Sequence, residues 1–150
     1  MRALSHHTLL EFYGCNARRL EHSREVKKLL CDSVRHGGGT IVKALFHNFS
    51  PYGVSGVVVI TESHVTIHTW PEHAYAAVDI FSCSRKLDHK AIRARLKAAL
   101  GSSRVTGRTF RRGVMHGDAG RFDNGARSST QEFNSQLLDR IPARARFQRD

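Results

Sequence analysis

Apolar side chains recur along this chain at two periods, and the switches between them mark out its elements. His7 to Tyr13 (HTLLEFY), rich in branched and aromatic side chains, predicts a first strand. Asn16 is placed to cap a helix from about Ala17 to His36, with Leu20, Val26, Leu30 and Val34 on one stripe and Gly37 to Gly39 as its stop. Thr40 to Phe49 alternates as a second strand, ended by the turn Ser50-Pro51-Tyr52-Gly53. Val54 to Ile60 is nearly all apolar and predicts a third strand covered on both faces. In His64 to Thr69, Val65 and Ile67 share one face of a fourth strand while His64, Thr66 and His68 share the other. Trp70-Pro71-Glu72-His73 turns the chain into a fifth strand, Ala74 to Phe81. Asp88 caps a second helix to Leu100, whose Ile92, Leu96, Ala99 and Leu100 recur at helical spacing before Gly101. Arg104 to Arg111 reads as a last strand.

The order β-α-β-β-β-α-β predicts the α+β class: a two-layer sandwich, its sheet mostly antiparallel, with two helices packed on one face. From Gly113 onward Gly, Ser, Asp, Asn and Arg replace the periodic pattern. This divides the chain into a domain over 1–112 and a polar, flexible tail over 113–150, with a short helix expected around Gln131 to Leu138.

At 150 residues the chain can bury one core. Its net charge of +11 invites a nucleic-acid reading, but the cations crowd the two helical segments. Arg24, Lys27, Lys28 and Arg35 lie in the first, and Lys90, Arg93, Arg95 and Lys97 in the second, as the solvated faces of amphipathic helices would. No helix-turn-helix, zinc-finger or aromatic RNA-binding pattern stands beside them, so nucleic-acid binding is expected to be at most nonspecific. Between Lys43 and Arg85 there is no Lys or Arg, and only Glu62, Glu72 and Asp79 carry charge. A cation-free window inside so basic a chain points to a positively charged ligand. No apolar run reaches the ~20 residues of a membrane span, and that near the start (MRALSHHTLLEF) is too short for a secretory signal. Three cysteines without a CxxC spacing argue for a reducing, cytoplasmic setting.

Candidate chemistry concentrates in that window. Residue by residue, Glu62-Ser63 reads as a tight hairpin turn. Ser63, His68 and Asp79 could make a hydrolase triad, but no GxSxG elbow surrounds the serine. His64 and His68 lie about 13 Å apart at the ~3.3 Å rise of a strand, too far to share a metal, so none is expected.

Taken whole, GVVVITESHVTIHTWPEHAYAAVDIFSCS resembles the central motif of the pyruvoyl-dependent S-adenosylmethionine decarboxylases, in the short form of bacteria and archaea. The likeness is dense from Phe46 to Cys83 and looser around the EFYGC segment. It implies a proenzyme that splits between Glu62 and Ser63 into a β chain, 1–62, and an α chain from 63 whose first group is a pyruvoyl made from Ser63. The resemblance further implies that His68 abstracts the Ser63 α-proton and Ser55 assists processing. The ketone then forms a Schiff base with the substrate amine, and Cys83 donates a proton during turnover. Phe49 and Trp70 match positions that flank the adenine, and Glu72 matches the carboxylate on the ribose hydroxyls. The implied product is decarboxylated S-adenosylmethionine, the aminopropyl donor for spermidine, made by a homodimer of αβ protomers with no metal and no PLP.

A pyruvoyl-dependent arginine or ornithine decarboxylase is the nearest alternative, and a basic nucleic-acid-binding module the alternative of a different class. The chain departs from the family pattern at Ala74 and Ser84, where glycine is frequent, and in its longer Arg-rich tail.

Overall fold

The computed structural model describes residues 2–116 and 121–122. A seven-stranded sheet, antiparallel at every pairing, runs in the order β2-β3-β4-β5-β1-β6-β7. Its strands are β1 (Arg2–Tyr13), β2 (Ile41–Asn48), β3 (Val54–Ile60), β4 (Ser63–Trp70), β5 (Tyr75–Ser82), β6 (Arg104–His116) and the two-residue β7 (Arg121–Phe122). Helices α1 (Ser23–His36) and α2 (His89–Leu100) pack side by side, forming the second layer. The α+β two-layer sandwich expected from the element order is the observed fold.

The inner face of the sheet supplies half of the core. Leu10, Phe12, Val58, Val65, Ile67, Val78 and Ile80 are buried there against Val26, Leu30 and Val34 of α1 and Ile92, Leu96 and Leu100 of α2. These helix positions recur every three or four residues, so each helix buries one stripe and leaves its cations in solvent. Asp88 caps α2 by accepting from the amides of Lys90 and Ala91, at 2.9 and 3.0 Å, and Gly101 ends it with a left-handed φ of 65°. Gly37, after α1, lies against the start of α2. Its carbonyl accepts from the Asp88 amide at 2.9 Å, and a Cβ there would meet Ile92 at 2.4 Å.

Several expectations are corrected. The helix predicted from Ala17 to His36 is broken: Ala17–Leu20 is a 3-10 turn capped by Asn16, and α1 begins at Ser23. Asn48 of β2 bridges the break, accepting from the Ser23 amide and donating to the Glu21 carbonyl, both at 2.8 Å. The first strand starts at Arg2, five residues earlier than predicted, because Arg2 to His6 continue the pairing with β6 that the rest of the strand makes. The β3 strand is not covered on both faces: Val54, Val58 and Ile60 are buried, but Val59 is 40% exposed because both helices lie on the other side. The last strand runs past Arg111 to His116, whereas the helix expected at 131–138 falls outside the described residues.

Candidate active site

Ser63 opens β4, immediately after a two-residue hairpin. Ile60 pairs with Ser63 across the β3–β4 turn, leaving Thr61 and Glu62 as the loop. Glu62 adopts φ 63°, the left-handed region in which glycine or asparagine usually sits. A side chain there costs about 1–2 kcal/mol, so the peptide preceding Ser63 is held under local strain. On its other side Ser63 pairs with Ser82 at the end of β5. The next residue's amide, that of Cys83, donates to Ser63 Oγ at 3.3 Å. Cys83 is exposed and carries a free thiol.

A tight loop presents that cysteine. Ser82 is buried, its hydroxyl donating to the Ser84 carbonyl at 2.7 Å and accepting from the Ser84 amide at 3.2 Å. Two cavities flank the junction. One, of about 350 Å³, is lined by Thr61, Glu62, Ser63, Gly38, Gly39 and Lys86 among others. The second, of about 360 Å³, is lined by Ala3, Leu4, His6, Cys83 and Arg85. Both fall within the range of small-ligand clefts.

A second constellation lies toward the far end of β4, on the face that the helices leave open. Ser55 and His68 are direct cross-strand partners, and Ser55 Oγ is 2.7 Å from His68 Nδ1. Trp70 follows on the same face, its ring centre 6.3 Å from His68 and 5.3 Å from Tyr75. Glu72 is exposed in the 3-10 turn Pro71–His73, which ends in Ala74 at φ 48°. Phe49, just beyond β2, donates its amide to the Gly53 carbonyl at 2.9 Å and sets its ring edge-on to His47. Trp70 and Phe49 are 39% and 47% exposed, so neither is a core residue.

The predicted residues thus fall into two groups. Glu62, Ser63 and Cys83 meet at one end of β4, whereas Ser55, His68, Phe49, Trp70 and Glu72 gather toward the other. The resemblance pairs Ser63 with His68, but the structure holds them apart. Strand β4 pairs without interruption from Ser63 to Trp70, so the two lie five residues apart on opposite faces. That is about 16 Å at ~3.3 Å per residue.

Other contributors were missed in the sequence. Tyr75 hydrogen-bonds Glu11 on the open face, and burial, then that carboxylate, pushes its phenol above the usual tyrosine range. Thr66 donates to Asp79 at 3.1 Å. The alternation of β5 carries the signal for Ser82: it shares the inward parity of Val78 and Ile80, which leaves a buried hydroxyl beside an exposed thiol.

An antiparallel sheet backed by two helices, with a strained Glu-Ser hairpin abutting a cysteine amide, defines a two-layer α+β protein with one strained turn set against the end of a neighbouring strand. The family model described as S-adenosylmethionine decarboxylase matches residues 6–113. The S-adenosylmethionine decarboxylase proenzyme of Thermosipho melanesiensis is 48% identical over 105 residues, covering 70% of this chain and 81% of that protein. The proenzyme of Thermotoga petrophila is 42% identical over 123 residues, covering 82% and 89%. The crystal structure of the adenosylmethionine decarboxylase from Aquifex aeolicus VF5 superposes with a TM-score of 0.71 at 27% identity, covering 81% of this chain and all of that one. The chain belongs to the S-adenosylmethionine decarboxylase family.

Among the described residues no helix is long and apolar enough to cross a membrane.

Proposed function

We propose that this chain is a self-cleaving decarboxylase that converts S-adenosylmethionine to its decarboxylated form plus carbon dioxide. The observation that carries the reading is the Glu62-Ser63 junction. A strained left-handed residue precedes a serine whose hydroxyl is held by the Cys83 amide, in the cation-free window. In the cleavage the Ser63 hydroxyl attacks the Glu62 carbonyl, and the amide C–N bond is exchanged for an ester to Oγ. Loss of the Ser63 α-proton then breaks the Cβ–Oγ bond, whose electron pair leaves with the Glu62 carboxylate. Water hydrolyses the resulting dehydroalanine to a ketone and ammonia.

The Ser63 position fits a pyruvoyl group, with a fixed amide donor beside it and cavities on either side. Once formed, that group supplies an electron sink for the bond to the departing carboxylate. Cys83, exposed and next to Ser63 at the end of β5, is the proton donor to the substrate carbon. Phe49 and Trp70 offer open aromatic faces to an adenine and a sulfonium cation, and Glu72 offers a carboxylate to the ribose diol.

His68 is the processing base, with Ser55 fixing its ring through Nδ1. A base about 16 Å from its proton does not act within one protomer. The separation supports a homodimer in which one copy brings its Ser55-His68 pair to the Ser63 end of the other. The helix-free face that carries this pair also exposes Leu45, Val59 and Phe110, apolar surface suited to a partner sheet.

Intact-mass measurement tests the reading. Purified protein resolves into two chains meeting at Glu62/Ser63, and Ser63→Ala stays whole. A single uncut chain in aged, folded wild-type protein would refute it. Carbon dioxide release from S-adenosylmethionine, but not from arginine or ornithine, fixes the substrate, and the reverse preference would overturn that assignment.

A further inference from the structure

Self-cleavage leaves a second negative charge on Glu62, and the surroundings determine how well it is borne. Resting on the processing reading above, we propose that Lys86 receives the carboxylate that cleavage creates on Glu62. Glu62 lines the 350 Å³ cavity together with Ser63, Thr61, Gly38, Gly39 and Lys86. Lys86 is the one cationic residue in that lining. Two other features there are unfavourable to an anion. The Glu62 side chain is already a carboxylate, and Gly38 and Gly39 follow the carbonyl end of α1, the negative pole of its dipole.

The segment that carries Lys86 is fixed while its ammonium is free to move. Ser84 Oγ accepts from the Lys86 amide at 3.1 Å, and Leu87 is buried next to it. The ammonium sits on an exposed four-carbon stem, and among the described residues no carboxylate lies within salt-bridge distance of it. It is therefore uncommitted until the cleavage supplies a partner. When the Cβ–Oγ bond of Ser63 breaks, its electron pair passes to Oγ, now one oxygen of the Glu62 main-chain carboxylate, and the α-proton leaves with the base. Charge grows in the cavity during that step, so a cation at its wall lowers the barrier and then neutralises the new chain end. Lys86 acts here as a positioning charge, making no bond to the reacting atoms.

The experiment follows self-cleavage of the full-length chain by intact mass, starting from freshly synthesised proenzyme at low ionic strength. Lys86→Ala slows cleavage about threefold to fivefold, the range of an exposed ion pair. Lys86→Glu slows it roughly tenfold, because a further negative charge enters the cavity, and Lys86→Arg keeps nearly the wild-type rate. Salt at ~0.5 M narrows the gap between wild type and Lys86→Ala, since exposed charges are then screened. Thermal melts of all three variants match wild type, as the side chain is exposed. Equal cleavage by wild type and Lys86→Ala at low salt, a Lys86→Arg rate as slow as that of Lys86→Ala, or a gap unaffected by salt would overturn the proposal. Failure of the processing reading is distinguishable, because wild type itself then stays uncut.

Discussion

On the processing reading proposed above, with His68 as the base, cleavage requires two copies of the chain. Ser63 and His68 share one uninterrupted strand, five residues and about 16 Å apart, and their side chains project from opposite faces. Proton transfer needs heavy atoms roughly 3 Å apart, or one bridging water. No rotamer of a histidine makes up the missing ~13 Å, and bending β4 would break its pairing with both β3 and β5. Two defective chains should therefore repair each other. Ser63→Ala has no nucleophile, and His68→Ala has no base, so each alone remains uncut or nearly so. Co-expressed with distinguishable tags, they pair at random, and about half of the His68→Ala chains then face a Ser63→Ala partner. Those chains carry an intact Ser63 and meet the partner's His68, so intact mass should find about half of the His68→Ala chains cut and every Ser63→Ala chain whole. Two results would refute the reasoning: His68→Ala alone cleaving at the wild-type rate, or verified heterodimers in which neither chain is cut.

Three further outcomes follow. Cys83→Ala should still split, since its amide rather than its thiol contacts Ser63, while decarboxylation per cleaved site falls about 10²-fold or more; unchanged turnover removes the thiol from proton donation. Ala74→Gly should stabilise the fold by about 0.5–1 kcal/mol, because a φ of 48° strains alanine and not glycine; a thermal melt that is unchanged or lower contradicts this. Burial lowers the pKa of His89, helped by nearby His6, so its contribution to stability is full above the ordinary value of 6.5 and is lost as pH falls through the depressed folded value. Denaturant titrations between pH 7 and roughly 5 should show that loss, and His89→Gln should flatten it; an equal acid slope in both proteins rejects the assignment.

How much of this was legible in the chain depends on whether the deciding partner is near in sequence. The faces of β4 were readable because Val65 and Ile67 alternate with His64, Thr66 and His68, and period two is a local property. Both helix stripes were readable for the same reason, at the helical period. The break before Ser23 was not, since the groups it frees are satisfied by Asn48, a residue of another strand. The beginning of β1 was hidden by its polarity: Ser5 is buried where it pairs with β6, and Thr8 is buried and satisfied by His89 and Thr109. Of the candidate site, Glu62-Ser63, Cys83 and the aromatic positions stood out as a motif. Their division into two ends of a strand needed the register.

That division also bears on β3, whose pattern misled about its faces. An apolar run such as Val54 to Ile60 ordinarily means burial on both faces, yet a single protomer covers only one. Its open face nonetheless carries Val57 and Val59 beside Leu45, in the same sheet surface as the Ser55-His68 pair. Apolar surface that stays uncovered costs solubility without adding stability to the protomer, so its presence asks for a second use. The proposed partner sheet would supply that use and simultaneously deliver the base that β4 keeps away from its own serine. On that proposal the excess hydrophobicity of β3 and the separation of Ser63 from His68 are two consequences of one arrangement, a sheet whose second face is completed by another copy.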